Sequence, residues 1–399
     1  MNFSDRMRPI KPSATMAVTA KAKQMVADGV DVVGFGAGEP DFDTPTFIVN
    51  AMKEALDSGK TRYTPAAGVP ELRDAIATMF SELYGVGFER TEVMATVGGK
   101  HALYNLFQVL LNKGDEVIIP APYWVSYPAQ VLLAEGRPVH VSCDASQGFE
   151  LDIEAVRAAV TDRTVGLVLN SPCNPTGAVL SRETLGKLGD LAAERDLWII
   201  SDDIYSFLRY DGQSAATVLG ERPELKNRIF IVHGASKTYA MTGWRIGFAG
   251  GPRELIAKMS TLQGQCTSNP TAFAQYGALA ALRSDHQFLK SWMVQYDARR
   301  RRITELLNGI EGVEAMLPGG AFYVFPNISK VLERSFRGEV VGTDLRMSQL
   351  LLEHANVAVV PGEPFGGPGH CRLSYAISME DIEKGLARMK DFVDALDPH

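Results

Sequence analysis

The sequence predicts an α/β fold in which a mostly parallel sheet is covered by helices, with a smaller α+β layer assembled from both ends of the chain. Three observations carry this. From about Pro70 onward, segments with apolar residues at helical spacing alternate with short runs rich in β-branched residues. Each run breaks at its carboxyl end into a polar or Gly/Pro-rich loop, which is where an open α/β sheet gathers its ligand groups. Beyond about residue 290 the runs shorten, and a basic helical segment around Tyr296 to Leu307 intervenes.

In chain order, KPSATMAVTAKAKQMVADG has a helical pattern and leads into a first strand in VVGFGAGEP. ELRDAIATMFSEL is helical, EVMATVGG reads as a strand entering a glycine turn, and HALYNLFQVLL reads as the helix after it. EVIIPAP, TVGLVLNSP, LWIISDD and IFIVHGAS follow as buried strands. GAFYVFP, VAVVPG and CRLSYA supply the short strands of the second layer, which ends in an amphipathic helix. The expected partition is 1–46 and 290–399 for the smaller unit and 47–289 for the larger.

The 399 residues, 46% of them hydrophobic, can bury a sizeable core, and a net charge of −7 gives no basic excess for nucleic acid or an anionic membrane. Cys143, Cys173, Cys266 and Cys371 lie far apart with no C-x-x-C spacing, which argues against a zinc site or a disulfide framework. The first residues lack the apolar run of a secretory signal, and no apolar stretch approaches the roughly 20 residues that span a bilayer. A soluble, cytoplasmic protein that engages neither nucleic acid nor membrane is expected.

The chemistry concentrates in GASKTYAMTGWR, Gly234 to Arg245, after the strand IFIVH. Burying an unpaired ammonium costs several kcal/mol unless its pKa falls or it forms an imine, so Lys237 at the end of a buried strand invites a functional reading. Partners stand at other strand ends. Asp202 in SDDIY can keep a pyridine nitrogen protonated, and Tyr205 and Asn174 (in NSPCNPTG) can hydrogen-bond a phenolic oxygen. VGGK places Gly99 and Lys100 between a strand and a helix, where backbone N–H groups cradle phosphate, with Arg245 as counter-charge. Trp124 in APYWVSYP can stack on a ring, and Arg372 in CRLSYA matches a carboxylate bidentately. Taken singly, each has a plainer reading: a loop lysine, a helix cap, a turn, a core tryptophan, a structural salt bridge. Gly34, Gly36 and Gly38 do not form a dinucleotide fingerprint, since no helix opens on them and Pro40 interrupts.

Taken together, AGEPDFDTP, TRYTPAAGVPELR, VGGKHALYN, PYWVSYP, NSPCNPTGAV, SDDIY, SKTYAMTGWRIGF, VVPGEPFG and RLSYA resemble the class I and II aminotransferases of pyridoxal-phosphate (PLP) fold type I over nearly the whole chain. The resemblance is to the bacterial aspartate aminotransferase subgroup Ib, which also contains prephenate aminotransferases. It implies a seven-stranded sheet, pyridoxal 5'-phosphate held on Lys237, Asp202 at the pyridine nitrogen, and Tyr205 and Asn174 at the phenolic oxygen. Trp124 would stack on the ring, and Arg245 with the amides of Gly99 and Lys100 would hold the phosphate. Gly38, Lys100, Trp124, Asn174 and Arg372 would contact amino-acid and 2-oxo-acid substrates, Lys100 through a distal carboxylate. Tyr63 would reach the phosphate of a neighbouring subunit in a homodimer with shared active sites.

The implied activity is aspartate:2-oxoglutarate transamination. Prephenate or aromatic transamination and a PLP-dependent lyase on the same scaffold are the alternatives. The sequence departs from the family at Gly234, where many members carry a phosphate-binding serine; Ser236 is the residue that could compensate.

Overall fold

The computed structural model describes residues 3–11, 14–212 and 216–397. Seven strands form the large sheet: β1 (Val93–Thr96), β2 (Glu116–Ala121), β3 (Arg137–Ser142), β4 (Thr164–Asn170), β5 (Trp198–Asp202), β6 (Ile229–Gly234) and β7 (Gly247–Gly250). Their spatial order is β1-β7-β6-β5-β4-β2-β3. β7 runs antiparallel to both neighbours and every other pair is parallel, so the mostly parallel seven-stranded sheet is present.

The central strands are apolar over most of their length because both faces are covered. Ile118, Leu167, Leu169, Ile199, Ile229 and Ile231 pack on one side with Leu72, Ile76 and Phe80 of the helix Pro70–Tyr84. The alternate residues Val117, Ile119, Val168, Ile200, Phe230 and Val232 pack on the other side with Leu103, Leu106 and Phe107 of the helix Gly99–Leu110. This is the two-residue period of a strand expressed as two cores. Pro70 at its first position starts the former helix, and Gly85 ends it at φ +68°.

The chain ends build the smaller layer together. Val33–Gly34 pairs in parallel with Val357–Ala358, while Tyr323–Val324, Cys371–Ser374 and Val360–Pro361 form an antiparallel three-stranded sheet. Phe35 joins them: its N–H donates to the Ala358 carbonyl at 2.8 Å and its carbonyl accepts from Ser374 N–H at 2.8 Å. Its buried ring lies against Gly385 in the helix Met379–Asp394, where an added Cβ would sit 2.4 Å from the ring.

Three features differ from the sequence reading. The first strand has only two residues, because the glycines after it lead into loop. β3 and β7 were not foreseen: β3 is an edge strand with only Val141 buried, and β7 is the short, glycine-rich GFAG. The basic helix extends from Gln287 to Asn308, across residue 290. Among the described residues, no helix is long and apolar enough to cross a membrane.

Gly385→Ala separates propensity from packing. Helix propensity favours alanine by about 1 kcal/mol, whereas overpacking against Phe35 costs about 1–3 kcal/mol. The variant is expected to melt at lower temperature than the parent; a higher melting temperature would show that Phe35 is not tightly held.

Candidate active site

The carboxyl ends of β4, β5 and β6 converge on one site. β6 ends at Gly234 and passes directly into a one-turn helix, Ala235–Thr238, so Lys237 stands on helical backbone rather than on the strand end. Its ammonium donates to the Gly38 carbonyl and lies 6.0 Å from the centre of the Phe322 ring. Loss of water around it lowers its pKa to about 8; Arg372 and Arg245 push the same way, while Glu39 and Asp202 oppose. The loop bearing Gly38 is tied to the lysine segment by Thr242 Oγ1 donating to Glu39 Oε2 at 2.9 Å, Trp244 Nε1 to Thr44 Oγ1 at 3.2 Å, and Thr44 Oγ1 to the Ala240 carbonyl at 2.6 Å.

Asp202 closes β5 and is 5% exposed. Burial raises its pKa to about 7, partly offset by the Tyr127 hydroxyl, which donates to Oδ2 at 2.7 Å. Asn174 is not at a strand end as the sequence reading had it. β4 ends at Asn170, which holds both partners: its Nδ2 donates to the Asp202 carbonyl at 2.8 Å and its Oδ1 accepts from Asn174 N–H at 2.8 Å.

Arg372 lies in the strand Cys371–Ser374 and is 3% exposed. Nη1 donates to Asn174 Oδ1 at 3.1 Å and Nη2 to the Gly36 carbonyl at 2.9 Å, while Nε has no partner. The Tyr323 and Phe365 rings flank it at 4.7 and 5.1 Å. Among the described residues it makes no ion pair, so the structural salt bridge is absent and the guanidinium is left ready for an anion. Tyr205 is buried with its hydroxyl 3.0 Å from that of Tyr323.

Gly98, at φ +84°, precedes the helix Gly99–Leu110, whose first amides, those of Gly99 and Lys100, have no earlier turn to bond. Arg245 packs against this turn: a Cβ on Gly98 would lie 2.5 Å from Arg245 Nη2, and one on Gly247 would lie 2.3 Å from the Gly98 carbonyl carbon. Arg245 holds φ +56°, a strained value for a side chain of its size, and its Nη1 is fixed by the Thr242 carbonyl at 2.7 Å. A Cβ at Gly234 would come within 3.1 Å of Gly247 Cα and the Ile246 carbonyl oxygen, so a serine there would require β7 to give way by a few tenths of an ångström.

Trp124 lies three residues beyond β2, its ring edge-on to Tyr127 at 5.4 Å, and the Lys100 ammonium rests 4.8 Å from the Trp124 ring centre. Loss of water lowers the Lys100 pKa, and Arg245 adds repulsion. Tyr63 stands apart, 90% exposed.

Tyr127, Asn170 and Tyr323 complete the site and were missed in the sequence. The first two sit inside quoted motifs, three residues after Trp124 and four before Asn174, while Tyr323 is concealed in the apolar run GAFYVFP. These residues fit pyridoxal phosphate: a buried carboxylate, a helix N-terminus backed by an arginine, a pKa-depressed lysine, and a buried guanidinium with an unpartnered Nε.

Asp202 supplies a test by pH. Its folded pKa lies above its unfolded value, so its relative contribution is most favourable below pH 3.8 and declines as pH rises toward about 7. In the cofactor-free protein, Asp202→Asn is expected to be more stable than the parent at pH 8, by a few kcal/mol at most, with the difference shrinking toward pH 4. A difference independent of pH in thermal melts would contradict this.

The family profile described as aminotransferase class I and II matches residues 30–389. A probable aspartate/prephenate aminotransferase of Aquifex aeolicus is 44% identical, covering 99% of each chain. An aspartate aminotransferase of Geobacillus stearothermophilus is 43% identical, covering 99% of this chain and 100% of the relative. Among solved structures, the aspartate aminotransferase of Rhizobium meliloti superposes with a TM-score of 0.96 at 41% identity and full coverage of both chains. That of Thermus thermophilus with maleate gives 0.91 at 44% identity, covering 98% of this chain and 99% of the other. With the sheet, the lysine on the helical turn after β6 and the buried arginine already in place, these matches show that the chain belongs to the class I and II aminotransferases and is a transaminase.

Proposed function

We propose that the chain is a pyridoxal-phosphate-dependent aspartate:2-oxoglutarate aminotransferase, acting in the cytosol as a homodimer with residues 1–46 and 290–399 forming its smaller unit. The observation that carries this reading is the surplus of positive charge: Arg372 and Arg245 both bear on Lys237, at a site whose nearby carboxylates are Asp202 and Glu39. Such a site calls for two anions, a phosphate at Arg245 and a substrate α-carboxylate at Arg372.

The chemistry supplied by pyridoxal phosphate, when bound, is an aldehyde carbon that exchanges amines and a ring that draws electrons from the carbon they carry. Asp202 would hold a proton on the ring nitrogen, with Tyr127 fixing its carboxylate. Gly99, Lys100 and Arg245 would bind phosphate, Trp124 would stack, and Tyr205 and Asn174 would donate to the phenolic oxygen. Arg372 and Asn174 would orient the substrate carboxylate, leaving Cα beside Lys237 Nζ under the Gly38 carbonyl. Lys237, with a pKa near 8, is suited to take the Cα proton and return it as the amino group is transferred. Repeating the sequence in reverse with a second 2-oxo acid gives ping-pong kinetics. Tyr63, with its ring fully presented to solvent, is available to a second subunit's phosphate.

Lys100 makes no ion pair among the described residues and rests on Trp124, so its ammonium is free to take a distal carboxylate. That favours aspartate and glutamate. Prephenate also carries two carboxylates, and the name of the Aquifex aeolicus relative keeps it as the second reading.

Lys237→Ala is expected to abolish turnover and the visible absorbance of the loaded enzyme while retaining fold and dimer. Substantial transamination by that variant would refute the assignment. Lys100→Ala is expected to lower kcat/KM for aspartate relative to phenylalanine by about 10- to 100-fold, with prephenate assayed alongside. An unchanged ratio would remove Lys100 from the distal carboxylate.

A further inference from the structure

Tyr323 is fully buried, sits on the smaller layer, and pairs in register with Ser374, two residues from Arg372. Its ring faces the Arg372 guanidinium at 4.7 Å. Its hydroxyl lies 3.0 Å from that of Tyr205, on the larger unit, and a Cβ added to Gly38 would come within 3.4 Å of the same oxygen. One side chain thus touches the group assigned to the substrate carboxylate, the phenol assigned to the cofactor oxygen, and the loop whose carbonyl holds Lys237.

We propose that Tyr323 is a positioning residue that links carboxylate capture at Arg372 to the hydrogen-bonding strength of Tyr205, and so to the proton affinity of the lysine-bound cofactor. The proposal rests on the cofactor reading above. A hydroxyl has one proton, so if Tyr205 gives its proton to the cofactor's phenolic oxygen, the 3.0 Å contact must be donated by Tyr323. A donated bond polarises the Tyr205 O–H and strengthens it as a donor.

The cation over the Tyr323 ring makes that phenol a better donor in turn. Burial raises its pKa, and the Arg372 charge pulls it back. When a substrate carboxylate neutralises Arg372, the pull weakens, Tyr323 donates less strongly, and Tyr205 withdraws less charge from the phenolic oxygen. The base at the lysine linkage then gains proton affinity as substrate arrives. Asn174, bonded to Arg372 at 3.1 Å, offers a separate link through an amide, so Tyr323 accounts for part of the coupling.

The test is a pH titration of the visible absorbance of the loaded enzyme, with and without saturating maleate, a dicarboxylate lacking an amine. Tyr323→Phe keeps the ring beneath Arg372 and removes only the hydroxyl. Its midpoint without maleate is expected to rise by about half to one unit, and the upward displacement caused by maleate to shrink. In a double-mutant cycle, Tyr323→Phe should add nothing to Tyr205→Phe. An unchanged midpoint with an unchanged maleate displacement would overturn the proposal, as would full additivity in the cycle. An unchanged midpoint with a raised KM for the amino acid would do so too, reducing Tyr323 to packing support for Arg372. If Tyr323→Phe does not fold, Tyr205→Phe alone decides: a maleate displacement equal to that of the parent overturns the link. A parent enzyme with no titrating visible band would instead defeat the cofactor reading itself.

Discussion

An excess of positive charge gathered at one site, with Arg372 buried in its wall, organises this protein. Arg372 is withdrawn from water between two aromatic rings, satisfied at Nη1 and Nη2 by an amide and a carbonyl, and given no carboxylate among the described residues. Lys237 is depressed toward neutrality nearby, and Arg245 is pressed into a glycine turn at a strained backbone angle. A fold tolerates such groups when their anions arrive from outside. On the proposed reading, a phosphate and a substrate carboxylate would complete the electrostatics that the chain leaves open.

The architecture explains how these cations are held close. β4, β5 and β6 deliver Asn170, Asp202 and the lysine segment to the same edge, because parallel strands point their carboxyl ends one way. The smaller layer brings Arg372 and Tyr323 against that edge, and Phe35 stitches the N-terminal segment to the strand that carries Arg372. Tyr205, three residues beyond the end of β5, packs into the core that the chain ends build, beside Phe322 and Tyr323. The Tyr205–Tyr323 contact thus lies among the residues to which chemistry is assigned.

Much of this was legible in the sequence. Buried parallel strands announce themselves as β-branched runs, and the charged or polar residue that ends a run stands out against it; Asp202 was read in this way, and Arg372 as a charge set within an apolar strand. What was hidden depends on tertiary neighbours. Tyr127 looks like one more aromatic in PYWVSYP until the helix Ser126–Leu133 aims its hydroxyl at Asp202. Asn170 looks like the turn before Asn174, and only strand pairing with β5 shows that it holds both Asp202 and Asn174. The edge strand β3 lacks a continuous apolar run because only one of its faces is covered, and β7 opens on Gly247, where the lack of a side chain lets its backbone approach the Gly98 turn.

On the proposed reading, the amino group passes from substrate to a cofactor held at Lys237 and remains there until a second substrate collects it. Mixing the loaded enzyme with aspartate in the absence of any 2-oxo acid, and identifying the released cofactor by mass, tests this most directly. One equivalent of pyridoxamine phosphate and one of oxaloacetate per site are expected. Unaltered pyridoxal phosphate, accompanied by ammonia or by a racemised or cleaved amino acid, would contradict it and assign the same site to a different chemistry.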